Sequence, residues 1–399
     1  MKKGFLVVLA IIMVSGLILG GCAEPAPTPA PAPTTPTPAP APEDKWEPPI
    51  PGMKQGEEDL YFEWRWSMPG NPERMLSYEK GIEEMWCDAM EERTGGRFKV
   101  TIHPGGTLAK HPEADQMVAA GVVEMAHTSQ SFHPEDNPYS IDHQPFYVFP
   151  YPDYDKTQKL LDYTIMHPLP TAANEKQNLM VAVNFINMQP YIIMMRKGAP
   201  KIEKFEDFEG LLIRSFGTWS IFAENLGGTP VSIGTPDAYE GLQKGMIDIT
   251  LQSLGQLKNF SLGEVCDRGI KNTYLCPSGG HTVMNRELFL ALPQYIQDIF
   301  METREEFQQL HVKLRLEDEL AFDDYLDEIG FTAYDLPAAE MAKVEAAAGP
   351  IYMTFIERGL EFPTGQHMVQ YVQDCVDFRD TLTPGEHWDL ADEAIAKYK

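Results

Sequence analysis

The sequence predicts an α/β fold of two halves, each a sheet flanked by helices, with one or two long helices after them. Three observations carry this expectation. A strand–helix–strand–helix–strand alternation runs from Leu60 to Ala126 and recurs from Leu211 to Leu251. No Gly or Pro interrupts Gln294 to Ile329, room for one or two long helices. The 399 residues, 43% hydrophobic, are enough for two cores.

The first segment is a targeting signal. Lys2 and Lys3 precede the apolar run Phe5–Leu19, and Leu19-Gly20-Gly21-Cys22 follows. A charged start, a short apolar stretch and small residues describe a secretory signal that is too short for a good spanning helix. LGGC resembles a bacterial lipobox, which implies cleavage before Cys22 and lipid on its sulfur. Residues 23–51 are dominated by Pro, Ala and Thr, which favour extended polyproline II. At 3.1 Å per residue this tether reaches about 80 Å. The expected organisation is signal 1–21, lipidated Cys22 and tether 22–56, a first lobe of 57–190 plus 282–325, and a second of 191–281 plus 326–399.

Strand by strand, Leu60, Phe62, Trp64 and Trp66 alternate with polar residues. Asn71-Pro72 opens a helix with Met75, Ile82, Met85, Trp86 and Met90 on one face, and Gly95-Gly96 ends it. Phe98, Val100 and Ile102 alternate as a second strand. A helix from about Pro112 stops at Gly121, and Val122–Ala126 is a third strand. Leu179–Ile186 and Tyr191–Met195 are apolar strands. Leu211–Phe216, Val231–Ile233 and Met246–Leu251 are the strands of the second repeat. Thr218 caps its first helix, which Gly227-Gly228 ends, and Thr235-Pro236 opens the next. Thr282–Asn285 and Phe331–Asp335 are short strands, and helices close the chain.

Charge and cysteine usage narrow the function. The formal net charge is -27, and losing Lys2 and Lys3 with the signal makes it about -29. No basic run occurs, so nucleic acid and anionic membrane surfaces are poor partners. Cys87, Cys266, Cys276 and Cys375 follow Cys22. Cys266 and Cys276 are close enough in sequence to pair across a loop, whereas Cys87 beside Trp86 reads as core. His127, His133, Asp136, Asp142 and His143 fit no metal-binding spacing, and Pro134, Pro138 and Pro145 make that region an irregular loop. No GxSxG, HExxH, CxxC, P-loop or GxGxxG arrangement is present, which points away from an enzyme.

Arg214 is the residue that composition does not explain. A guanidinium in a buried strand is costly unless it meets an anion. It lies near a strand's C-terminal end, just before a helix N-terminus, where open α/β sheets bind ligands. Spacing leaves two readings open: a clamp for a ligand carboxylate, or an internal ion pair.

The segment EDFEGLLIRSFGT, Glu206–Thr218, with PDAYEGLQKGMID, Pro236–Asp248, resembles the substrate-binding proteins of TRAP (tripartite ATP-independent periplasmic) transporters. A second resembling block is EERTGGRFKVTIHPGGTLAKHPEADQMVAAGVVEMAHTS, Glu91–Ser129. The likeness runs from roughly Tyr61 to Gly330 and implies a two-lobed periplasmic-binding-protein-like fold, each lobe a mixed sheet flanked by helices, with crossover hinge strands and a long backing helix. It further implies that Arg214 holds a substrate carboxylate and that the protein delivers a small organic acid to the membrane subunits of a TRAP transporter.

Other expected ligand contacts are Trp66, His127, Ser129 and Gln130 from the first lobe, with Gln252 where many relatives place an asparagine. The resemblance also implies a second arginine near Ile193. Arg196 lies three residues away, which weakens a two-arginine grip on a dicarboxylate and favours a mono-acid with an apolar body, walled by Phe216 and Trp219. Acidic residues that many members carry near His111 and Ser129 are absent, against polyhydroxylated substrates such as sialic acid. Leu251 and Gln252 stand where keto-acid-binding relatives hold a cation through Glu and Trp, so no metal or other cofactor is expected. The rival readings are a binding protein of another importer class and an extracytoplasmic enzyme acting on an organic acid.

Overall fold

The computed structural model describes residues 46–70, 80–130, 133, 135–140, 153–185, 191–215, 218–233, 237–275 and 280–399. Cys22, the tether before residue 46, Asn71-Pro72, Asp142, His143 and Phe216 therefore lie outside the described residues.

The first repeat folds as β1 (Phe62–Ser67), α1 (Ile82–Arg93), β2 (Phe98–His103), α2 (Ala114–Ala119) and β3 (Met125–Thr128). Gly95 and Gly96 end α1 at φ values of 58° and 77°, a left-handed exit that side chains disfavour. β3 starts later than expected. Glu124 is drawn out of the ladder by Arg65, whose Nε and NH2 reach its carboxylate at 2.9 and 2.7 Å, and Val122 is exposed. The chain continues through α3 (Tyr154–Met166), α4 (Pro168–Lys176), β4 (Leu179–Val183) and β5 (Tyr191–Arg196).

The second repeat is β6 (Leu212–Arg214), α5 (Thr218–Asn225), β7 (Thr229–Val231), α6 (Ala238–Gln243) and β8 (Ile249–Ser253). β7 begins before the expected Val231 and includes Pro230, which a sheet-edge strand tolerates because one N–H is not needed there. Then follow α7 (Leu254–Asn259), β9 (Cys266–Leu275), β10 (His281–Asn285), α8 (Arg286–Leu290), α9 (Gln294–Leu320), α10 (Phe322–Ile329) and β11 (Thr332–Tyr334). The last helices are α11 (Ala338–Ala346), α12 (Gly349–Leu360), α13 (Met368–Leu382) and α14 (Asp392–Tyr398).

Two mixed sheets result. The first has the order β2-β1-β3-β10-β4 and the second β11-β9-β5-β8-β6-β7. β1, β2 and β3 run parallel, as do β6, β7 and β8, while β10 and β5 run antiparallel to their neighbours. The chain passes from the first sheet to the second between β4 and β5, and back between β9 and β10. Pro48–Lys399 forms one compact unit, within which Ile50 and Met53 are already buried.

The apolar run of β5 serves both faces of its sheet. Tyr191, Ile193 and Met195 pack with Phe222, Ile213 and Val344, while Ile192 and Met194 pack with Leu242, Leu257 and Phe322. α9, 27 residues or about 40 Å long, lies along α1, α3 and β4. After a break at Ala321, α10 joins the core of the second sheet through Phe322 and Leu326. Phe300 of α9 packs edge-on against Trp86 at 5.0 Å and near Phe98 at 6.2 Å.

α12, α13 and α14 share a core with α3 through Leu160, Leu161, Tyr352, Phe355, Tyr371 and Ile395, while Ile351 of α12 packs with Val344 and Ile213 of the second sheet's core. Cys266 is a free, buried thiol at the first position of β9. Cys276, its expected partner across a loop, lies outside the described residues. Burial pushes the Cys266 thiol up to about 12 and keeps it protonated. Cys87 is likewise free and buried beside Trp86.

Candidate functional site

Because β6, β7 and β8 are parallel, their C-terminal ends share one edge of the second sheet. β5 runs the other way and brings its first residue there, with Tyr191 opposite Ser253. Arg214 is the last residue of β6 and only 3% exposed. Its Nε donates to the Ile233 carbonyl at 3.1 Å, which aims the guanidinium along the edge. Burial lowers its pKa, opposed by nearby Tyr191. α5 starts just beyond, so its N-terminus faces the same edge.

Register fixes which side chains accompany Arg214. It pairs with Thr250, and Ile192 pairs with Gln252. Paired residues share a face, as do residues two apart in a strand, so Arg214, Thr250 and Gln252 line one face in sequence. Gln252 is 1% exposed, and its Oε1 and Nε2 both lack a hydrogen-bond partner among the described residues. The same holds for Thr250 Oγ1. Thr250 escaped sequence reasoning; its signal is position, two residues before Gln252 on one strand.

Trp219 belongs to the hydrophobic core. Its ring stacks on Tyr191 at 5.6 Å and meets Phe222 edge-on at 5.7 Å. Its indole Nε1 is buried without a partner among the described residues, so the ring's polar edge is available while its faces are packed. Arg196 is at the wrong end. β5 carries it to the opposite edge, where Nε and NH2 bind Asp248 Oδ1 at 3.0 and 2.8 Å, and Asp248 Oδ2 accepts the Leu212 amide at 3.0 Å.

The first sheet has a corresponding edge. β1 and β3 end there, and β10 starts there with His281 opposite Thr128. Trp66 is buried edge-on to Trp86 at 5.9 Å, with its Nε1 lacking a partner among the described residues, as does Thr128 Oγ1. His127 is buried with its ring over that of His111 at 5.9 Å. Desolvation brings His127 down to about 3, helped by His111 and His281, and His111 down to about 4. Both rings are therefore neutral at physiological pH. A Cβ at Gly280 would collide with the His127 ring, so glycine is required where the chain re-enters this sheet.

Ser129 is half-buried at the end of β3. Gln130 is committed elsewhere. Its Nε2 donates to Asn174 Oδ1 at 2.6 Å, and its Oε1 accepts from Asn137 Nδ2 at 3.3 Å, so the amide braces the loop against α4. Of the irregular stretch, His133, Glu135 and Asp136 come together with ligand-type atoms within 4.8 Å. The His133 ring nitrogens are already engaged with Pro112 O at 2.6 Å and Gln116 Nε2 at 3.2 Å, and His127 lies apart from the group. Among the described residues no helix is long and apolar enough to cross a membrane.

Residues 73–358 match the family model described as bacterial extracellular solute-binding protein, family 7. The chain belongs to this family. It is a receptor of the TRAP type, extracytoplasmic and not an enzyme. An uncharacterized protein of Haemophilus influenzae is 22% identical to this receptor over 254 residues, covering 62% of this chain and 74% of that one. Among solved structures, a Bordetella pertussis extracytoplasmic solute receptor binding pyroglutamic acid is similar with a TM-score of 0.65. It shows 17% identity, and the match covers 78% of this chain and 99% of that one. A TRAP solute-binding protein from Sulfitobacter sp. NAS-14.1 with bound β-D-galacturonate gives a TM-score of 0.63 and 17% identity, covering 80% and 98%. These likenesses establish the two-lobed fold that the sequence predicts.

Proposed function

We propose that this family 7 protein is a lipid-anchored receptor that captures a small organic acid between its two sheets and hands it to TRAP membrane subunits. Arg214 carries the reading: a guanidinium 3% exposed, at the C-terminal end of a parallel strand, beside a helix N-terminus. Arg214 holds the carboxylate through paired hydrogen bonds. Gln252, Thr250 and the indole edge of Trp219 contact the rest of the ligand. Phe216 follows Arg214 by two residues and forms part of the wall.

Trp66, His127 and Ser129 complete the cage from the first sheet, and the lobes close about the crossings near 189–196 and 281–285. Gln130 supports this wall without touching ligand, since its amide is already used. The bound acids named for the related receptors, pyroglutamic acid and galacturonate, are carboxylates, which supports the ligand class. The lobes are proposed to comprise 57–190 with 282–325, and 191–281 with 326–399. Lipid on Cys22 and the tether from 22–56 keep the receptor at the membrane.

Calorimetric titration against a panel of small organic acids tests the reading. Arg214→Ala should cost about 3 kcal/mol or more, the scale of a buried charged pair losing one partner. Equal affinity in mutant and wild type removes Arg214 from the site. Loss of membrane association in a Cys22→Ser variant, measured by fractionation, tests the anchor.

A further inference from the structure

We propose that the ligand carries, besides its carboxylate, an N–H and a C=O on the same side of one amide, as in a lactam or a ureide, and that Gln252 reads this pair. The inference rests on the carboxylate site at Arg214 and adds the chemistry of the rest of the molecule.

A primary amide has two N–H donors and an acceptor oxygen. Gln252 is 1% exposed, and among the described residues neither end of its amide has a partner. Each unmade buried bond costs about 1–3 kcal/mol, so an empty pairing of both donor and acceptor is expensive to maintain. A hydroxyl group satisfies one end of such a side chain at a time. An amide held cis, as in a lactam, satisfies both in one plane, N–H to Oε1 and C=O to Nε2.

Spacing agrees. Gln252 is two residues beyond Thr250, the register partner of Arg214. Two residues along a strand and one strand across put the Cα atoms roughly 8 Å apart. That separation suits one small molecule with its carboxylate at Arg214 and an amide two or three bonds away. Thr250 Oγ1, also without a partner among the described residues, lies between the two on the same face. A second carboxylate has no matching cation from β5, since Arg196 is at the far edge bound to Asp248. The first sheet offers neutral groups, the imidazoles of His111 and His127 and the indole of Trp66.

Matched acid pairs test this by calorimetry on the mature receptor. Pyroglutamate is compared with cyclopentanecarboxylate, and 6-oxopiperidine-2-carboxylate with cyclohexanecarboxylate; in each pair the second acid replaces the whole cis amide by carbon. At least one amide acid should bind at least about tenfold more tightly than its partner. Gln252→Leu, checked for folding by its thermal transition, should remove that preference. Equal affinities within both pairs, a preference surviving in Gln252→Leu, or no binding by either amide acid overturns the inference. Arg214→Ala separates the two levels. If it weakens whichever acids bind while no amide preference exists, the carboxylate site stands and the amide reading falls. If it changes nothing, the site itself is misplaced.

Discussion

Asp162 on α3 shows how one half-buried side chain ties local chemistry to stability. Its Oδ1 accepts from Gln158, Asn184 and Gln308 at 2.8, 2.7 and 2.8 Å, joining α3, the end of β4 and α9. Desolvation outweighs these bonds and raises its pKa to about 6. The folded state therefore holds the proton more tightly than the unfolded chain. Stability from that proton is full below the ordinary carboxyl value near 4 and is lost as pH rises through 6. Asp162→Asn keeps an oxygen for the three donors and does not titrate. Relative to that variant, the wild type should lose thermal stability between pH 4 and pH 7. Parallel melting temperatures across that range would remove Asp162 as the cause. Little of this was legible in the sequence, because only Gln158 is a local partner of Asp162, and the other two lie 22 and 146 residues away. Gln130 hid its role in the same manner, with Asn174 on another helix.

Among elements, α9 is where packing concentrates. Its Phe300 is fully buried and meets Trp86, Phe98 and Phe289 within 5.0–6.2 Å. Phe300→Ala should cost about 3–5 kcal/mol, the range for emptying a large aromatic site, read as a lower urea midpoint with an unchanged slope. A cost below 1 kcal/mol would mean that the aromatic cluster collapses around the gap. The helix was readable because no Gly or Pro falls in it, and the strands of both repeats because their apolar residues alternate or run unbroken. Boundaries were less readable. β3 starts at Met125 because Glu124 answers Arg65 across 59 residues. The β9 strand, Cys266–Leu275, was missed. Its sequence CDRGIKNTYL mixes charge with apolar residues and has no clean period.

For the whole molecule, the two sheets are joined by the two crossings and by the α9–α10 run. Closure about those connections predicts a smaller radius of gyration with ligand than without, measurable by small-angle scattering. Identical curves at saturating ligand would rule out a lobe motion. At this scale the sequence was most informative, since the order of repeats, crossings and long helix already implied a two-lobed receptor. It was least informative about the chain's end, where α12, α13 and α14 join α3.

Asp248 has a mechanical consequence. One of its oxygens ties down Arg196 of β5, the other holds the Leu212 amide of β6, and the residue itself leads into β8. Three strands are thus riveted by one carboxylate at the margin remote from Arg214. A pull on Arg214 is therefore passed through Leu212 and Asp248 to β5 and β8, so that the three strands move together and β6 does not slip alone.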